Sequence, residues 1–96
     1  MYSVRFSKSF IKDLKKLDKS DAILIVDKWI PMLQKNPDLG DRFVGANLTR
    51  FRKLAFRYKR VDYRIVYEIK HSSLQLIFLA VGSRENFYKN FRMRLG

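Results

Sequence analysis

The 96-residue sequence contains no cysteine. That absence excludes disulfide scaffolds, thiolate zinc sites and thiol nucleophiles together. There is a single histidine, His71, and it falls in a predicted turn, where a solvated residue is expected rather than a catalyst. The carboxylates are few and scattered, so no metal-ligand cluster forms in the sequence. No glycine-rich phosphate loop and no serine-nucleophile motif is present. No run approaches the roughly 18 unbroken apolar residues of a membrane span. The first ten residues, MYSVRFSKSF, carry charges where a signal peptide would need an apolar core. A cytoplasmic protein without membrane attachment is therefore expected, and the sequon Asn47-Leu48-Thr49 has no secretory context to give it meaning.

Charge of one sign dominates what remains. Lys and Arg number 21 against nine Asp and Glu, a formal net charge of +12. An excess of that size in so small a chain implies an anionic partner, most often nucleic acid. The distribution is uneven. Residues 1–40 hold eight basic and five acidic side chains, whereas residues 41–96 hold thirteen and four. The stretch Arg50 to Arg64 has seven basic residues and one acid, Asp62, with Phe51, Phe56, Tyr58 and Tyr63 interleaved. Aromatics beside cations suit base stacking on single-stranded RNA, although Phe56, Tyr63 and Tyr67 read better as core.

Length and the 47% apolar content indicate one globular domain over residues 1–96. Tyr2, Val4 and Phe6 alternate with Ser3 and Arg5, as in a half-buried strand. Ser7 or Ser9 can cap a helix whose apolar stripe is Phe10, Ile11, Leu14 and Leu17. Ser20 and Asp21 open a second helix with Ile23, Val26, Ile30 and Leu33 expected inside. Pro31 should kink or interrupt it, and Asn36-Pro37 should end it. Residues 38–49 read as a loop. Strands are expected at about 50–57, 61–70 and 74–82, with a terminal helix possible over Glu85 to Leu95. The order β-α-α-β-β-β(-α) describes an α+β domain, two N-terminal helices packed on one face of a mostly antiparallel four-stranded sheet.

With helices on one face, chemistry falls to the other. If Leu54 and Phe56 face the core, Lys53, Ala55 and Arg57 face away, as does Arg64 on the next strand. Glu68 shares that strand face, with a structural salt bridge as its expected role. Cations and a phenol suffice for one reaction class, because RNA carries its own nucleophile, the 2′-hydroxyl. Fixed arginines can stabilise the developing phosphorane charge, and a lysine or Tyr88 can move protons.

Phe51-Arg52-Lys53-Leu54, then Asp62-Tyr63-Arg64-Ile65-Val66-Tyr67-Glu68-Ile69, then Leu79-Ala80-Val81-Gly82-Ser83-Arg84-Glu85-Asn86-Phe87-Tyr88 together resemble the RelE/ParE toxin superfamily of bacterial type II toxin–antitoxin modules. Val4-Arg5-Phe6-Ser7 and Leu14-Lys15-Lys16-Leu17 fit as well, so the resemblance spans about residues 2–90. It implies a metal-independent, ribosome-dependent endoribonuclease of the RelE type that cuts messenger in the A site, leaving a 2′,3′-cyclic phosphate. It implies catalytic roles for Lys53, Arg64, Arg84 and Tyr88, and RNA contacts from Arg52, Arg57, Lys59, Arg60 and Lys89, with no cofactor. The implied partners are an acidic antitoxin, the ribosome and its RNA, the free toxin being a monomer. Ala55 stands where many members carry a second basic residue and Ser83 where a His is common, so the general base stays open. A gyrase poison of the same fold and a non-catalytic basic RNA-binding domain are the competing readings.

Overall fold

The computed structural model describes residues 1–43 and 50–83. Strand β1 (Ser3–Phe6) leads into α1 (Lys8–Lys16). Helix α2 (Lys19–Leu24) continues through a π-helical turn (Ile25–Trp29) into α3 (Ile30–Lys35). A 3₁₀ turn at Pro37–Leu39 precedes β2 (Asp41–Arg42), then β3 (Phe51–Tyr58), β4 (Val61–Lys70) and β5 (Gln75–Ser83). One five-stranded sheet results, in the order β1-β5-β4-β3-β2. β1 runs parallel to β5, and the other pairings are antiparallel. The α+β reading holds, with a correction: the sheet has five strands, not four. Asp41–Arg42 is too short to show any alternation, so it reads as loop in the sequence. The terminal helix expected at Glu85 to Leu95 lies outside the described residues.

Local chemistry sets the helix ends. Ser7 Oγ accepts from the Phe10 amide at 3.1 Å, which satisfies one of the free donors of the first turn. Phe10 is then fully buried, but Ile11 stands 40% exposed. The second helix also departs from expectation. Ile23 and Val26 face outward, while Ile25, Ile30 and Leu33 are buried. Pro31 is the physical reason. It has no amide to donate and its ring collides with the carbonyl of a regular preceding turn. The backbone widens instead, and the Ile30 amide reaches Ile25. Five residues then separate two inward positions, so the stripe is rephased.

The main core lies between the helices and one sheet face. It joins Phe10, Ile25, Ile30 and Leu33 to Leu54, Phe56, Tyr63, Ile65, Tyr67, Leu76 and Phe78. Two buried carboxylates tie helices to sheet. Asp13 Oδ2 accepts from the Val81 amide at 3.1 Å. Asp21 Oδ2 accepts from the Tyr63 hydroxyl. Tyr67 performs a third tie: its hydroxyl donates to Pro37 O at 2.6 Å and accepts from Gly40 N at 3.0 Å. A Cβ on Gly40 would sit 2.6 Å from that hydroxyl and 2.9 Å from Lys53 O, so only glycine lets the chain pass this closely into β2.

Candidate functional site

Register decides which basic side chains meet. In β3 and β4, Leu54 pairs with Ile65 and Phe56 with Tyr63, all on the helix side. The intervening pairs, Lys53 with Val66, Ala55 with Arg64 and Arg57 with Asp62, therefore occupy the opposite face. Arg64 stands across from Ala55, and Lys53 and Arg57 flank Ala55 on the same strand. Diagonal neighbours of this kind lie about 7–8 Å apart, which is within joint reach of one phosphate for side chains this long. On the far side of Arg64, its partner on β5 is Gly82, which offers no side chain to crowd the guanidinium. The three expected residues Lys53, Arg57 and Arg64 thus share one face. The catalytic residues expected at Arg84 and Tyr88, and Lys89, lie outside the described residues.

The surroundings of the triad are specific. Arg64 is half-buried and donates to the Tyr63 carbonyl at 3.1 Å, which restricts its swing. Lys53 Nζ lies 5.4 Å from the centroid of the Phe43 ring. Phe43, Phe51, Val66 and Ala80 form a second, smaller apolar cluster on this face, so the cations stand beside a dry floor that strengthens their field. Asp41 is the register partner of Lys53, and sequence reasoning missed it because β2 has no periodicity to reveal it. Glu68 sits further along the face and pairs with Lys70 at 3.9 Å, as a structural role requires.

Other expected RNA contacts fall elsewhere. Arg52 neighbours Lys53 in the chain and so points to the helix side. Its guanidinium is 3.0 Å from Asp38 Oδ1 and donates to Gly40 O at 2.7 Å. Lys59 also turns toward the helices, donating to Ser20 Oγ at 2.7 Å, with Asp21 Oδ1 3.8 Å away. Arg60 is exposed at the β3–β4 turn. Lys59 and Arg60 both have positive φ, 52° and 67°, the pattern of a two-residue type I′ hairpin.

Two phenols are poor proton carriers here. Burial and the hydrogen bond to Asp21 push the Tyr63 hydroxyl up to about 12. Burial likewise raises Tyr67 above the usual phenol range. His71 is exposed, as expected, with its Nδ1 3.1 Å from the Tyr2 hydroxyl. Among the described residues, no three His, Asp or Glu side chains gather as a metal ion would need, and no helix is long and apolar enough to cross a membrane.

Residues 4–92 match the sequence model of the ParE-like toxin of type II bacterial toxin–antitoxin systems. A search of curated protein sequences returns no match. Among solved structures, isolated Escherichia coli RelE toxin is 18% identical at a TM-score of 0.70, covering 100% of both chains. An E. coli RelE mutant with two arginines changed to alanine, in the free state, is 20% identical at a TM-score of 0.73, over 99% of this chain and 98% of that one. The RelBE2 toxin–antitoxin complex of Mycobacterium tuberculosis contains a chain 24% identical at a TM-score of 0.70, covering 86% of this chain and 98% of that chain. At these identities the likeness is one of fold.

Proposed function

The chain belongs to the ParE-like toxin family of type II bacterial toxin–antitoxin systems, and on that footing we propose that it is a messenger-cleaving endoribonuclease acting on the ribosome. The observation that carries this reading is the placement of Arg64 opposite Ala55, with Lys53 and Arg57 on either side. Such a triad suits a phosphodiester whose charge grows during reaction. The 2′-oxygen of the nucleotide attacks the adjacent phosphorus and the bond from phosphorus to the 5′-oxygen breaks. One proton leaves the 2′-hydroxyl and one reaches the 5′-oxygen. The products are a 2′,3′-cyclic phosphate and a 5′-hydroxyl. Arg64 stabilises charge on the non-bridging oxygens, with Arg57 as a further phosphate contact. Lys53 contacts phosphate or transfers a proton. Arg84 is proposed to share the charge, and Tyr88 to orient the base and assist proton transfer.

An antitoxin is the proposed protein partner, since similar structures are of toxin–antitoxin complexes. Its segment over the triad should be acidic, given a net charge of +12 on this chain. The test uses purified translating ribosomes and primer extension. Wild-type protein should cut messenger within codons only during translation. Arg64→Ala should stay folded and lose about 100- to 1,000-fold in rate. Full activity in that variant removes Arg64 from the site. Growth arrest with supercoiling defects and intact messenger would instead make the protein a gyrase poison.

A further inference from the structure

A second cationic cleft lies at the end of the sheet where β3 begins and β4 finishes, with Arg52 and Ile69 on its helix side. Its volume is about 290 Å³, and it is lined by Arg42, Arg50, Arg52, Ile69 and His71. Arg42 and Arg52 are direct register partners across β2 and β3. Like charges so placed oppose folding. Asp38 offsets Arg52 alone, and among the described residues Arg42 and Arg50 enter no ion pair. Three arginines are thus gathered with one carboxylate to balance them, and the cleft is built to take an anion.

The other walls narrow the chemistry. Ile69 is a half-buried aliphatic surface packed on the main core. The His71 ring is steadied by the Tyr2 hydroxyl at 3.1 Å and by an edge contact with the Tyr2 ring at 6.3 Å. Arg50 holds its guanidinium 4.7 Å from the Phe51 ring centroid. Planar cations for a phosphate, beside an aliphatic wall and an imidazole for a base, fit a nucleotide better than an inorganic ion. Lys53 and Arg52 are consecutive and point to opposite faces, so Arg52 turns away from the triad, while Arg50 reaches the Phe51 ring at the strand end.

We propose that this cleft binds an unpaired nucleotide of a folded RNA, its phosphate on Arg42 and Arg50 and its base against Ile69 and His71. The inference rests on the reading of the protein as an RNA-directed toxin, and it adds a docking contact beyond the triad itself. Such a contact would set how tightly the protein seats on its RNA and leave the bond-breaking step alone.

The probe is a fluorescent RNA hairpin with an unpaired loop, compared with a blunt duplex of the same stem, by anisotropy over a range of salt. The double variant Arg42→Ala/Arg50→Ala should melt like wild type and bind the hairpin about tenfold more weakly, with the salt slope reduced by about 1–2. The duplex should be affected less. Arg42→Lys/Arg50→Lys should recover the slope and only part of the affinity, because lysine lacks the planar fork. In the ribosome assay the alanine variant should need more protein for half-maximal cutting and reach the same maximal rate. Unchanged hairpin binding overturns the inference, as does an equal loss on hairpin and duplex. Loss of purified antitoxin binding with RNA binding intact would assign the cleft to a protein and overturn it too. If wild type cuts nothing on ribosomes, the cleavage reading falls, and the hairpin measurement still decides the cleft.

Discussion

At the scale of the residue, adjacency in the chain is a poor guide to shared function. Arg52 and Lys53 look alike in the sequence, yet the pleat sends them to opposite faces. One clamps Asp38 and Gly40 O, while the other stands beside the Phe43 ring. Gly40 has a role that composition conceals, since its lack of a Cβ lets Tyr67 and Lys53 O close around it. Gly40→Ala should cost about 1–3 kcal/mol in urea unfolding, and a wild-type midpoint would refute that packing. Tyr63 supplies the hydrogen bond that buried Asp21 needs. Tyr63→Phe should cost about 1–3 kcal/mol, because it leaves that carboxylate underserved. The phenol also gives a pH signature. Its folded value of about 12 lies above the unfolded value of 10.0, so the folded state holds the proton more tightly. The contribution is complete below pH 10 and is lost as pH rises toward 12. Melting temperatures across that interval should fall less steeply in Tyr63→Phe than in wild type.

At the scale of the element, two irregularities have definite causes. The π turn at Ile25–Trp29 accommodates Pro31 and turns Ile30 and Leu33 inward. The β3–β4 hairpin is closed by Lys59 and Arg60 at positive φ, a conformation that costs non-glycine residues. Lys59 gains the bond to Ser20 in return, whereas no hydrogen bond or ion pair of Arg60 offsets its cost among the described residues. Arg60→Gly should therefore raise stability by about 0.5–1 kcal/mol, the relieved strain exceeding the added entropy of the unfolded chain. Ribosome binding of the same variant reads out whether Arg60 contacts RNA. A more stable variant with unchanged affinity would remove Arg60 from the interface.

At the scale of the whole molecule, net charge governs association. With +12 on 96 residues, binding to ribosomes should weaken steeply and linearly on a logarithmic salt scale, because each phosphate contact releases counterions. A flat response would point to an uncharged partner. The charge is also arranged. The triad Lys53, Arg57 and Arg64 occupies the sheet face away from the helices, and the Arg42–Arg50–Arg52 cleft lies at the end of the sheet where β3 begins. A polyanion could engage both by passing over the end of the sheet where β3 begins.

Much of this was legible in the residues. Period-two alternation marks β4, and Leu54 and Phe56 orient β3, which puts Lys53, Arg57 and Arg64 on one face from the residues alone. Such patterns are local consequences of which side chains must leave water, and a single sequence carries them. The partnership of β1 with β5, the strand at Asp41–Arg42 and the inward turn of Ile25 could not be read that way. Each depends on hydrogen bonds or packing between segments far apart in the chain. The sequence determined which faces are apolar and which are cationic, and tertiary structure decided which cations oppose one another, because register is a property of pairs of strands.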